Sequence, residues 1–89
     1  MDLHKTILDG ERARQLIQDE TLGELFDRLR SAYVESWTNT DPIDVEGRER
    51  LYMAVQVLEH VRTNLRVLAE AGKLATAQIE RLKNRRGLQ

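Results

Sequence analysis

One stretch constrains this chain more than any other. Between Leu51 and Gly72, the residues Leu51, Ala54, Leu58, Val61, Leu65, Leu68 and Gly72 recur at alternating steps of three and four. That spacing gathers side chains on one face of an α-helix and scatters them over both faces of a strand. Three heptads of it predict a long helix that must be covered along its length. Tyr52, Val55 and Val57 widen the stripe beyond a narrow seam, which suits packing on more than one neighbour.

The ends of this helix are signalled on both sides. Asp41 followed by Pro42 reads as a cap and first helical residue, with Asp44 close behind to meet free backbone N–H groups. Gly72, which can take the left-handed conformation after a last turn, is followed by Lys73 and reads as the C-terminal signal.

Upstream, the apolar residues at 22, 25, 26, 29, 32, 33 and 37 share another helix face. Ahead of them Ala13, Leu16 and Ile17 predict a shorter helical piece with Asp9 as its cap. Asp19, Glu20 and Thr21 interrupt the two, because Asp and Thr favour caps over helix interiors. Downstream, Ile79 and Leu82 with Leu74 or Ala75 form one side of a short terminal helix ringed by basic residues. The expected fold is all-α, a helical hairpin of two long amphipathic helices with a short helix at each end. Residues 1–89 are read as a single helical domain: a first arm over about 9–39, a second long helix over 40–72, and a short basic terminal helix and tail over 73–89.

Eighty-nine residues bury only about 60–65% of what the unfolded chain exposes, so completion of the core by self-association is expected. Hydrophobic residues at 40% and charged residues at 33% exclude a disordered chain. With no cysteine, disulfides and thiolate metal sites are excluded and a reducing compartment is expected. No apolar run approaches the roughly 20 residues of a membrane span, and the opening "MDLHKTILDGERAR" lacks the apolar core of a signal peptide. The expectation is a cytoplasmic protein without a membrane partner. Residues 1–50 carry seven basic and twelve acidic side chains, residues 51–89 seven and three. That asymmetry marks either a basic tail for nucleic acid or two ends that attract in an assembly.

Candidate chemistry is sparse. The acidic stretch "WTNTDPIDVEGRERL" invites a calcium site, but with Gly47 at the sixth loop position Pro42 falls on the first ligand place and Met53 on the twelfth. Helical pairing explains its acids instead, Asp44 preceding Arg48 by four and Glu46 preceding Arg50 by four. "EAGKLAT" has Val67 where a phosphate-binding loop needs glycine and Leu74 where it needs Ser or Thr. A DNA-binding helix-turn-helix about Gly72 is disfavoured by the length of the preceding helix, by Leu68 and by Gln78. His4 and His60 have no histidine four residues on, so neither zinc ligation nor a nucleophile–base pair is suggested. Catalytic, cofactor and metal residues are therefore expected to be none. Phe26, Tyr33 and Trp37 share a helical face and read first as core or hairpin packing, with Trp37 at the hairpin end as the exception; with Tyr52 they are the candidate partner interface. Arg81, Lys83, Arg85 and Arg86 are the candidate nucleic-acid contacts.

Three segments carry a resemblance: "AR-x-LI-x-D" (Ala13 to Asp19), "Y-x-x-S-W-x-N-T" (Tyr33 to Thr40) and "D-x-E-G-R-E-x-L" (Asp44 to Leu51), followed by a long amphipathic helix and a basic end. The chain resembles small helical proteins of tailed-phage and prophage genomes. The resemblance implies a phage-derived origin, the bacterial host cytoplasm as its compartment, and phage or host proteins as partners, at virion parts, DNA packaging or host takeover. It assigns no chemical role to any residue. The expected function is that of a non-enzymatic interaction protein acting through self-association or partner binding, with a homo-oligomer as its form. The alternative is a nucleic-acid-binding accessory protein using the basic C-terminal segment.

Overall fold

In a computed structural model, residues 2–87 are described, with side chains through residue 85. The described residues are all-helical: α1 spans Leu3–Gln18, α2 spans Glu20–Asn39 and α3 spans Val45–Gly87. Each begins immediately after an aspartate that caps it. Asp2 accepts from the backbone N–H groups of His4 and Lys5 at 3.0 and 3.2 Å. Asp19 accepts from Leu22 N–H at 2.8 Å, and Asp44 from Gly47 N–H at 3.0 Å. Each carboxylate satisfies an orphan donor and sits at the positive end of its helix. Asp19→Ala is therefore expected to lower stability by about 1 kcal/mol, read as a shifted denaturation midpoint. A shift of only a few tenths would show that α2 does not depend on its cap.

Three expected boundaries are corrected. Asp9 does not start a helix; it lies within α1, which is already nucleated at Asp2. Asp41 and Pro42 do not open α3. They are the first two positions of a β-turn closed by Asp44 N–H donating to Asp41 C=O at 2.9 Å, with Ile43 N–H donating to the Asp41 carboxylate at 3.0 Å. Proline suits the second place of such a turn as well as the first of a helix, and here the turn wins. Lastly, Gly72 does not end α3, and the segment from residue 73 is not a separate short helix: α3 continues to Gly87, and among the described residues no glycine has a positive φ.

The contacts divide the chain into two compact units, one of Met1–Gln18 with Asn64–Gln89, the other of Asp19–Thr63. In the first, α1 packs antiparallel on the C-terminal part of α3. The buried residues are Gly10 and Ala13 on α1, Gly72 and Ala75 on α3. Small residues three apart on both helices let the backbones meet directly. A Cβ placed on Gly10 would lie 2.6 Å from Gly72 Cα and 2.9 Å from Leu68 O. This contact, and no helix end, is what Gly72 is for.

In the second unit α2 lies antiparallel to the first part of α3, from Val45 onward. Leu58, at 9% exposure, is its buried hydrophobic residue, with Leu22, Phe26, Tyr33, Leu51, Ala54 and Val55 half-buried around the contact. Burying Leu58 stabilises the pair by about 2 kcal/mol. Val61, on the expected seam, is 44% exposed instead, and Arg62 is half-buried. At about 100° per residue Arg62 lies about 40° from Leu58 around the helix and Val61 about 60° on the other side, so Arg62 is nearer the contact.

Candidate interaction surfaces

The two-helix contact of unit 2 has two flanks of opposite character. Successive helical residues are about 100° apart. With Phe26 directed at α3, Asp27 and Arg30 fall on one flank of α2, and Leu25, Leu29 and Ala32 on the other. With Leu58 directed at α2, Glu59 and Arg62 fall on one flank of α3, and Met53, Val57 and Val61 on the other. Two ion pairs fix which flanks coincide. Arg30 Nε reaches Glu59 Oε1 at 3.0 Å, and Arg62 reaches Asp27 Oδ1 at 2.9 Å. Since these bridges join the helices on one side, the leucines of α2 and Met53, Val57 and Val61 of α3 share the other.

The ion-paired flank is solvated. Each pair keeps at least one partner more than half exposed to solvent, Arg30 in one and Asp27 in the other, so each bridge contributes less than about 1 kcal/mol and chiefly sets the register. Arg62 also lies 5.4 Å from the centre of the Phe26 ring. The second flank has no ion pair between the helices among the described residues. Leu25, Leu29, Met53, Val57 and Val61 there are between 44% and 63% exposed.

The four aromatic candidates do not form one patch. Phe26 and Tyr33 are half-buried against α3, as packing residues. Trp37 and Tyr52 are exposed at 40% and 57%, and with Val45, Arg48 and Glu49 they line a shallow recess of about 370 Å³ beside the α2–α3 turn. Arg48 is not paired with Asp44; it stands over the Trp37 ring at 5.7 Å, a cation–π contact. The expected Glu46–Arg50 pair forms at 2.7 Å.

The basic candidates also divide. Arg81 and Arg85 are one turn apart and line a recess with Leu3, Gln78 and Leu82. Lys83, two residues from each, points about 160–200° away. The side chain of Arg86 lies outside the described residues. By sequence, the first unit carries nine basic and five acidic side chains, +4, and the second five basic and ten acidic, −5. Among the described residues no three His, Cys, Asp or Glu side chains are grouped to hold a metal ion, and no helix is long and apolar enough to cross a membrane.

The apolar flank of unit 2 escaped the sequence reading, which took aromatic rings as the interface signal. Its sequence trace was present in the second stripe Met53, Val57 and Val61, at steps of four beside the packing seam. Comparison with protein-family models, curated proteins and solved structures gave no match to this chain.

Proposed function

We propose that this is a non-enzymatic helical interaction protein that acts by self-association, of the phage or prophage kind its sequence resembles. In this reading the α2–α3 arrangement is a helical hairpin whose core a further chain completes. The observation that carries it is the balance of burial. Among the described residues the buried hydrophobics are Ala13, Leu58 and Ala75, whereas seventeen large hydrophobic residues are exposed. A single exposed leucine is ordinary, but so many against so small a core are what an incomplete core looks like.

A second reading is supported by the +4 charge of the first unit and by the adjacent Arg81 and Arg85: a nucleic-acid-binding accessory protein using Arg81, Lys83, Arg85 and Arg86. One experiment addresses both. Light scattering at tens of micromolar, with and without duplex DNA at low and high salt, is expected to give twice the 10.3 kDa chain mass or a higher multiple in every condition. A single-chain mass throughout refutes self-association. A DNA complex at low salt that is lost when the four basic residues are neutralised establishes the second reading.

A further inference from the structure

We propose that the apolar flank of unit 2, made of Leu25 and Leu29 on α2 with Met53, Val57 and Val61 on α3, is the self-association face and that its occupant is a second copy of this chain. The proposal rests on the self-association reading above and adds where the contact lies and what completes it.

Three observations converge on this flank. The first is its composition. Two helices contribute adjacent apolar rows, so the face is two helices wide rather than a single ridge. The charged groups that join the helices, Asp27 with Arg62 and Arg30 with Glu59, are all on the opposite flank. An apolar row at steps of four beside a packed seam is the pattern of a helix with a second neighbour. The second observation is exposure. The five side chains of the face are each 44–63% exposed, and burying such a patch against a partner is what an interface core supplies.

The third observation is electrostatic and selects the occupant. The five residues of the face carry no charge, and the Glu46–Arg50 pair that borders it lies beyond Met53 toward the α2–α3 turn, internally neutralised. The face does match itself: under a two-fold axis each copy meets the same residues in the other, and nothing charged need be desolvated at the centre. Arg28 and His60 fall at its edges, where a polar rim is expected. Two helices from each copy then form a four-helix layer in which Leu29 and Val57, exposed in one chain, become core.

The test uses the full chain. Leu29→Lys/Val57→Lys places a lysine on each row of the apolar flank, and Trp37→Lys/Tyr52→Lys does the same at the recess beside the turn. The expected result is a multiple mass for the unsubstituted chain and the Trp37/Tyr52 variant, and a single-chain mass for the Leu29/Val57 variant with its helical circular dichroism retained. Because the chain has no cysteine, Leu29→Cys, Val57→Cys and Val61→Cys can each be oxidised without background. At least one is expected to give an interchain disulfide, and Tyr52→Cys none; this arm decides if the lysine variant loses its helicity. A single-chain mass for the unsubstituted protein removes the self-association reading itself and leaves the face to another occupant. An associated chain whose mass resists Leu29→Lys/Val57→Lys and none of whose three flank cysteines cross-links overturns this proposal alone.

Discussion

Gly10→Ala is expected to destabilise the first unit by about 1–3 kcal/mol, even though alanine is the better helix former. In an open helix the same change gains about 0.5–1 kcal/mol, because glycine loses more backbone freedom on folding. At Gly10 the added methyl would sit 2.6 Å from Gly72 Cα and 2.9 Å from Leu68 O. Both are backbone atoms of α3, so relief requires α1 to move off α3 and take Ala13 and Ala75 out of contact. Gly23 supplies the internal control, since a Cβ there meets nothing within 4 Å. Gly23→Ala should raise the urea midpoint and Gly10→Ala should lower it. If both raise it, the close approach of α1 and α3 is wrong.

Leu58→Ala carries the second large effect. Among the described residues Leu58 is the one large hydrophobic side chain that is buried, at 9% exposure. Truncating it removes burial and leaves a gap between α2 and α3 that Leu22, Phe26 and Ala54 only partly fill. The expected loss is about 2–3 kcal/mol, the lower part of the range for leucine truncation, because the surrounding side chains are themselves half-exposed and can collapse. Leu8→Ala is the comparison. Leu8 is 47% exposed on α1, and its truncation is expected to cost under about 0.5 kcal/mol. Equal losses at Leu8 and Leu58 would contradict the assigned packing of unit 2.

Much of the helical content was legible in the sequence, and the residues show why its boundaries were less so. The three- and four-residue spacing over residues 22–37 and 51–72 identified these segments as helical, although Leu25, Leu29 and Val61 within it are exposed, and Asp19 announced the start of α2. Asp2 announced α1 in the same way but was overlooked because its helix begins almost at once. The pair Asp41 and Pro42 is ambiguous in principle, since the fixed φ of proline fits a turn and a helix start alike. Gly72 misled for a related reason. Glycine before lysine resembles a helix end, yet its use here depends on Gly10, sixty-two residues away. The matching pairs Gly10 with Ala13 and Gly72 with Ala75 carried the trace of that crossing, and only a view of both segments together reveals it.

The proposed interaction surface was harder to read because it is a matter of flanks. Both apolar rows of α3 are visible in its sequence, but nothing in one helix says which row meets α2. The ion pairs Asp27–Arg62 and Arg30–Glu59 settle it, and they exist only once two segments lie side by side. Charge fixes the register of α2 on α3 from one side; on the other side, among the described residues, no ion pair joins the two helices, and the row Met53, Val57 and Val61 is apolar.

The central claim is that this chain's core is completed by association, and unfolding at different chain concentrations tests it most directly. When folding and association are coupled, mass action makes the thermal midpoint depend on protein concentration. Followed by helical circular dichroism over a roughly hundredfold range of concentration, the midpoint is predicted to rise steadily with the amount of chain. A midpoint that stays fixed over that range would contradict the claim, because the helices would then be stable in a single chain with their apolar flank bare.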